Sequence, residues 1–106
     1  MAPTPQTANR PTASDFRRML RDMLPTLAPR YGVSSLGIFG SYARGEQSFG
    51  SDLDVLVTYD RTPSLFELTG LELELSNSLG VKVDVVPRSC LKPSLAPRIL
   101  KELIDV

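Results

Sequence analysis

Histidine is absent from the 106 residues, and cysteine occurs once, at Cys90. Ser-His-Asp and Cys-His nucleophilic catalysis are therefore excluded, as is a histidine-ligated zinc site. One cysteine cannot close an internal disulfide or form a Cys cluster for zinc or iron–sulfur. Cys90 is read as a plain small side chain. A charge excess of either sign is also lacking: 12 Lys and Arg balance 12 Asp and Glu. The chain as a whole carries no electrostatic footprint for nucleic acid or anionic membrane. No apolar run approaches the ~18 residues of a membrane span, and the first residues lack the apolar segment of a secretory signal. The expected location is the cytoplasm.

What is present reads as one small α/β (α+β) domain. Residues 1–12, rich in Pro, Thr and Ala, have no hydrophobic period and are expected to form a flexible tail; residues 13–106 form the domain. Thr12 or Ser14 can cap a helix, and Thr12-x-x-Asp15 resembles a capping box. Phe16, Met19, Leu20, Met23 and Leu27 then recur at helical spacing on one face. Arg17, Arg18 and Arg21 are read as a solvent face. Pro25 removes a backbone donor and is expected to kink or split this helix, which Tyr31-Gly32 ends. Residues 33–39 and 53–59 read as strands, with a short helical turn at 41–44 and a loop at 45–51 between them. Ser64-x-x-Glu67 is a second capping box. It opens a helix whose apolar face is Leu65, Leu68, Leu71, Leu75 and Leu79, with Glu72 and Glu74 on a solvated face. Gly80 stops that helix, 81–86 is a third strand, and 94–104 a last helix. About three strands flanked by helices result.

The chemistry lies in the carboxylates. Side chains alternate along a strand, so Asp52 and Asp54 share one side while Leu53 and Val55 face a core. Asp84 interrupts the apolar run Val83-Asp84-Val85-Val86, and a neighbouring strand would bring it beside the other two. Carboxylates so packed repel by about 4 kcal/mol per pair at 4 Å and an effective dielectric of 20. They must protonate or recruit cations. An all-oxygen donor set favours Mg²⁺ or Mn²⁺, and two such ions can bridge the carboxylates and a triphosphate. Upstream, Gly40 lets the backbone approach a phosphate, and the turn that follows offers free N–H groups beside the Ser41 hydroxyl. It is not a Walker A loop, because no Gly-Lys-Ser/Thr follows. Arg44, one turn past Ser41, reads as a contact for the triphosphate or a partner, or as a solvated surface arginine. Lys82 shares the face of Asp84, where it can contact phosphate or neutralise the acidic cluster.

Gly40-Ser41, ten residues, then Asp52-Leu53-Asp54 matches the signature of the nucleotidyltransferase superfamily that includes DNA polymerase beta. The surrounding Phe39-Gly-Ser-Tyr-Ala-Arg-Gly45 and Ser51-Asp-Leu-Asp-Val55 resemble its smallest branch, the minimal nucleotidyltransferases (MNT), often the antitoxin half of HEPN/MNT toxin–antitoxin pairs. The resemblance extends over nearly the whole chain after residue 12. It implies a mixed sheet of nucleotidyltransferase fold, metal ligation by Asp52, Asp54 and Asp84, nucleotide contact by Gly40 and Ser41, and ATP as donor. It further implies a HEPN toxin partner, bound as a hetero-oligomer and modified with AMP on a tyrosine hydroxyl.

Larger relatives carry an extra domain for the acceptor, and this chain has no room for one. A partner protein is thus expected to form or be the acceptor, docking on exposed apolar surface of the first or last helix. Two other readings stand beside this one. In the first, the antitoxin neutralises its toxin by binding alone, which Asn replacements of Asp52 and Asp54 would leave intact. In the second, the acceptor is a small molecule such as an aminoglycoside.

Overall fold

The computed structural model describes residues 10–106; the first nine residues of the expected tail lie outside them. The element order is α1 (Ala13–Tyr31), β1 (Val33–Phe39), α2 (Ser41–Arg44), β2 (Leu53–Tyr59), α3 (Leu65–Leu79), β3 (Val83–Pro87), a 3-10 turn (Arg88–Cys90), α4 (Ala96–Glu102) and β4 (Ile104–Asp105). One mixed sheet runs in the order β3-β2-β1-β4. The β1–β2 and β1–β4 pairs are antiparallel, and β2–β3 is parallel. Parallel pairing requires a crossover, and α3 supplies it.

Both capping boxes are in place. Thr12 and Asp15 exchange hydrogen bonds at the start of α1, as Ser64 and Glu67 do at the start of α3. Helices α1 and α3 cover one face of the sheet. Phe16, Leu20 and Leu27 from α1 meet Ile38, Leu53, Val55 and Val57 from the strands and Leu71 and Leu75 from α3. The opposite face is covered more thinly, by Ile99 of α4 with Leu91 and Leu103 over Phe39, Leu56 and Val86. Because strand faces alternate, Asp54 and Asp84 stand on this thinly covered side.

Three expectations are corrected. Pro25 does not split α1, which runs unbroken through both Pro25 and Pro29. Both prolines are exposed; Pro25 offers the Arg21 carbonyl no helical donor, and the buried face of Phe16, Leu20 and Leu27 holds the helix together. The last helix ends at Glu102, not at 104. Ile104 and Asp105 turn extended and pair with Ile38 and Gly37. That fourth strand satisfies an edge of β1 that would otherwise lack partners. Leu65, placed on the apolar face of α3, is exposed together with Phe66. Exposed large apolar side chains lie on the first helix and at the last, at Met19, Leu95 and Leu100, and the most exposed ones lie elsewhere, at Phe66, Phe49 and Leu65.

Several side chains read as solvated instead tie elements together. Arg17 donates to the Asp105 carbonyl at 2.7 Å and Arg21 to the Val106 carbonyl at 3.2 Å, so α1 clasps the C-terminal strand. Glu72 accepts the Val85 N–H at 2.9 Å and the Ser76 hydroxyl the Val83 N–H at 3.0 Å. These bonds occupy donors on the outer edge of β3, which blunts it against pairing with another chain. Glu74 accepts from both Arg30 and the Tyr31 hydroxyl at 2.8 Å. No described helix is long and apolar enough to cross a membrane.

Candidate active site

The site is built at the N-terminal ends of β2 and β3, next to the turn between β1 and α2. Leu53 is fully buried and Asp54 half-buried, so the alternation that sends Leu53 and Val55 into the core holds Asp54 on the opposite face. Parallel register pairs Asp54 directly with Asp84, and antiparallel register pairs it with Phe39, one residue before the glycine turn. Asp52 precedes the strand on the same side. Its carboxylate is half exposed and lies 3.9 Å from the Lys82 ammonium.

Gly40 explains why this turn can sit so close to a carboxylate. Its φ of 78° and ψ of −153° lie in a region essentially reserved for glycine. A Cβ here would also collide with the Asp54 carboxylate. The turn leads into α2, with Ser41 at its first position and Tyr42 anchored in the core by an edge-on contact with Phe16, ring centroids 5.4 Å apart.

The electrostatics are those of a charge cluster short of cations. Burial, then the charges of Asp84 and Asp52, push the Asp54 carboxyl above its ordinary range, while Arg44 pulls the other way. Arg44 donates through Nε to Glu46 at 2.9 Å and through Nη1 to Glu102 at 3.1 Å. A hard divalent cation fits this donor set, which is all carboxylate oxygen and carries unneutralised charge. Asp54 and Asp84 are brought together as the sequence suggests. Asp52 is close enough for its charge to act on Asp54, yet among the described residues no three acidic side chains converge on one ready-made metal position.

Sequence reasoning missed Glu102. Its carboxylate accepts the Gly40 N–H at 2.7 Å as well as the Arg44 guanidinium. Its only signal in the sequence is a lone acid next to Leu103 and Ile104, which is weak. Beside Asp52 opens a cleft of about 560 Å³ between the start of α1, the 47–52 loop and the α3–β3 turn, with Arg10, Tyr42, Phe49 and Lys82 in its wall. The Arg10 guanidinium lies 5.1 Å from the Phe49 ring centre. A second cleft of about 480 Å³, lined by Thr58, Arg61 and Arg88, lies at the other end of β2, away from the carboxylates.

A mixed sheet bearing paired strand carboxylates beside a Gly-Ser turn defines a nucleotidyltransferase. The model of the nucleotidyltransferase domain family matches residues 17–106. Over 95 residues, spanning 90% of this chain and 96% of the relative, the sequence is 39% identical to the protein adenylyltransferase MntA of Thermococcus cleftensis. A solved structure of a proposed minimal nucleotidyltransferase superposes with a TM-score of 0.76 at 35% identity, covering 92% of this chain and 99% of that one. The fold also matches that of a chain in the complex of a tri-AMPylated Shewanella oneidensis HEPN toxin with its MNT antitoxin. There the TM-score is 0.66 at 18% identity, over 89% of this chain and 71% of that one. The chain belongs to the nucleotidyltransferase domain family, in its minimal branch, and is by that membership an enzyme of nucleotidyl transfer.

Proposed function

We propose that this protein transfers AMP from ATP to a hydroxyl of a partner HEPN toxin, a tyrosine in our reading, and so acts as its antitoxin. The observation that carries the proposal is the Asp54–Asp84 pair in parallel register beside the Gly40-Ser41 turn, in a chain similar to an MntA protein adenylyltransferase over nearly its full length. In the reaction the acceptor oxygen forms a bond to the α-phosphorus. The bond from that phosphorus to the bridging oxygen breaks, pyrophosphate leaves, and the hydroxyl proton passes to a site carboxylate, which we assign to Asp84.

Each residue has a task that its position supports. Gly40 admits the phosphates close to the backbone, and Ser41 offers its hydroxyl and the first N–H groups of the turn. Arg44 offers positive charge at the edge of the cluster. Asp52, Asp54 and Asp84 would hold magnesium ions, which when bound would offset phosphate charge and lower the acidity barrier of the acceptor hydroxyl. In this reading the partner supplies the acceptor hydroxyl. Phosphoryl-type transfer depends mainly on such positioning.

The test is the intact mass of the partner toxin after incubation with this protein, ATP and magnesium, beside an Asp52→Asn, Asp54→Asn control. We expect a gain of one or more adenylyl groups that the control lacks. A stable complex without mass gain would replace transfer by neutralisation through binding. Adenylylation of an aminoglycoside with none of the toxin would make the acceptor a small molecule.

A further inference from the structure

Glu102 makes strong polar contacts at the site that nucleotidyl transfer leaves without a task. It is the last residue of α4, 62 residues beyond Gly40 in sequence, and its side chain is only 15% exposed. One carboxylate oxygen, Oε2, accepts the Gly40 N–H at 2.7 Å. Both oxygens accept Arg44 Nη1, at 3.1 and 3.2 Å. Gly40 caps the start of α2 and Arg44 ends it, so one carboxylate grips the phosphate-facing turn at both ends.

The grip also aims Arg44. Glu46 takes its Nε, Glu102 takes Nη1, and the two Nη2 donors have no partner among the described residues. A guanidinium offers five N–H donors in a rigid fork; here two of its sides are fixed and the third is open. That open side belongs to the group whose charge already acts on Asp54. Burial pushes the Glu102 carboxyl up, but the Gly40 N–H and the Arg44 guanidinium outweigh it and hold the group below its ordinary range. It therefore stays charged, as a clamp for arginine must.

We infer that Glu102 is a positioning residue for the nucleotide: by tying Gly40 and Arg44 to the C-terminal segment, it holds the Gly-Ser turn and the free edge of the Arg44 guanidinium ready for the polyphosphate. The inference rests on the nucleotidyl-transfer reading. The opposite role for the same contact is a plug, in which the carboxylate stands where a phosphate must go. The two roles predict opposite signs. Releasing a clamp weakens nucleotide binding, and removing a plug tightens it.

The experiment is calorimetric titration of the full chain with AMP-PNP and magnesium, comparing the parent with Glu102→Gln, Glu102→Ala, Arg44→Ala and the Glu102→Gln, Arg44→Ala double variant. The amide of Glu102→Gln still accepts the Gly40 N–H but loses the charge that fixes Arg44. We expect about a threefold weakening for Glu102→Gln, in line with the loss of a partly exposed ion pair that acts on the nucleotide through Arg44, and about tenfold or more for Glu102→Ala, which also loses the Gly40 bond. The double variant should bind like Arg44→Ala alone, because Glu102 acts through that arginine. A purely structural role would lower the melting temperature without this coupling. Unchanged or tighter binding in Glu102→Gln, or additive losses in the double variant, would overturn the inference. If Glu102→Ala does not fold, Glu102→Gln and the double variant decide the matter. If the parent itself does not bind AMP-PNP, the nucleotidyl-transfer reading falls and the inference with it. A parent that binds beside variants that bind equally well would sink the inference alone.

Discussion

Replacing Asp54 by Asn should make the metal-free protein more stable. Neighbouring strands lie about 4.8 Å apart, and parallel register sets Asp84 directly beside Asp54. Two like charges about 5 Å apart repel by roughly 3 kcal/mol at an effective dielectric of 20 and by less than about 1 kcal/mol in bulk water. Asp54 is half-buried and Asp84 exposed, which places the pair toward the lower end. The loss of attraction to Arg44 lowers the gain further, but the raised carboxyl shows that burial and repulsion prevail. The net gain is about 1 kcal/mol, which for a domain of this size raises the melting temperature by about 4–8 °C. The assay is thermal unfolding followed by circular dichroism at pH 7 in a chelator, then in magnesium. Because the folded-state pKa of Asp54 is raised, the parent is handicapped only while that group is charged. The advantage of Asp54→Asn should therefore be present at neutral pH and fade as pH falls through the raised pKa. Magnesium should stabilise the parent and leave the variant nearly unmoved. A variant that melts no higher than the parent at pH 7 in chelator would refute the claim that these carboxylates are held together at a cost.

Two further outcomes follow from the same geometry. Gly40→Ala forces a side chain into a glycine-only conformation and against the Asp54 carboxylate, so urea unfolding should show a loss of about 1–3 kcal/mol and AMP-PNP binding should disappear; a variant that keeps both would disprove the close approach. Glu67 is held down to about 2 by the Arg61 guanidinium and then by the Ser64 N–H. Its contribution is present above the ordinary value of 4.5 and lost as pH falls toward 2. Glu67→Gln should then melt below the parent at pH 7 and match it near pH 2, and a gap that stays constant with pH would contradict this.

The parts of the site that sequence made legible are those set by local rules. Alternation along a strand put Asp52 and Asp54 on one side and Leu53 and Val55 in the core, and the observed burial follows that pattern. Two capping boxes and the C-terminal glycines Gly32 and Gly80 fixed the limits of α1 and α3 within a residue. The Gly-Ser turn was visible because its spacing to Asp52 is short and fixed. Proline misled because the rule that it breaks helices concerns an isolated helix. In this fold Pro25 lies on the solvent side of a helix held by Phe16, Leu20 and Leu27.

What was not legible depends on residues far apart in the chain. Strand direction is one case: the Asp54–Asp84 neighbourhood needs β2 and β3 parallel, and only the crossover through α3 makes them so. The C-terminal strand is another. Helical spacing runs on through Leu103, but the open edge of β1 and the grip of Arg17 and Arg21 on the last carbonyls draw the chain out. Residues 104 and 105 extend the antiparallel register by which Ile104 meets Ile38 and Asp105 meets Gly37. Continued two residues further, that register carries Glu102 opposite Gly40. Its side chain then takes the N–H that the ladder would otherwise have bonded. The two features most hidden in the sequence thus have a single cause. A short edge strand, too brief for any periodicity to announce it, ends α4 early and brings a carboxylate to the turn on which the site is built.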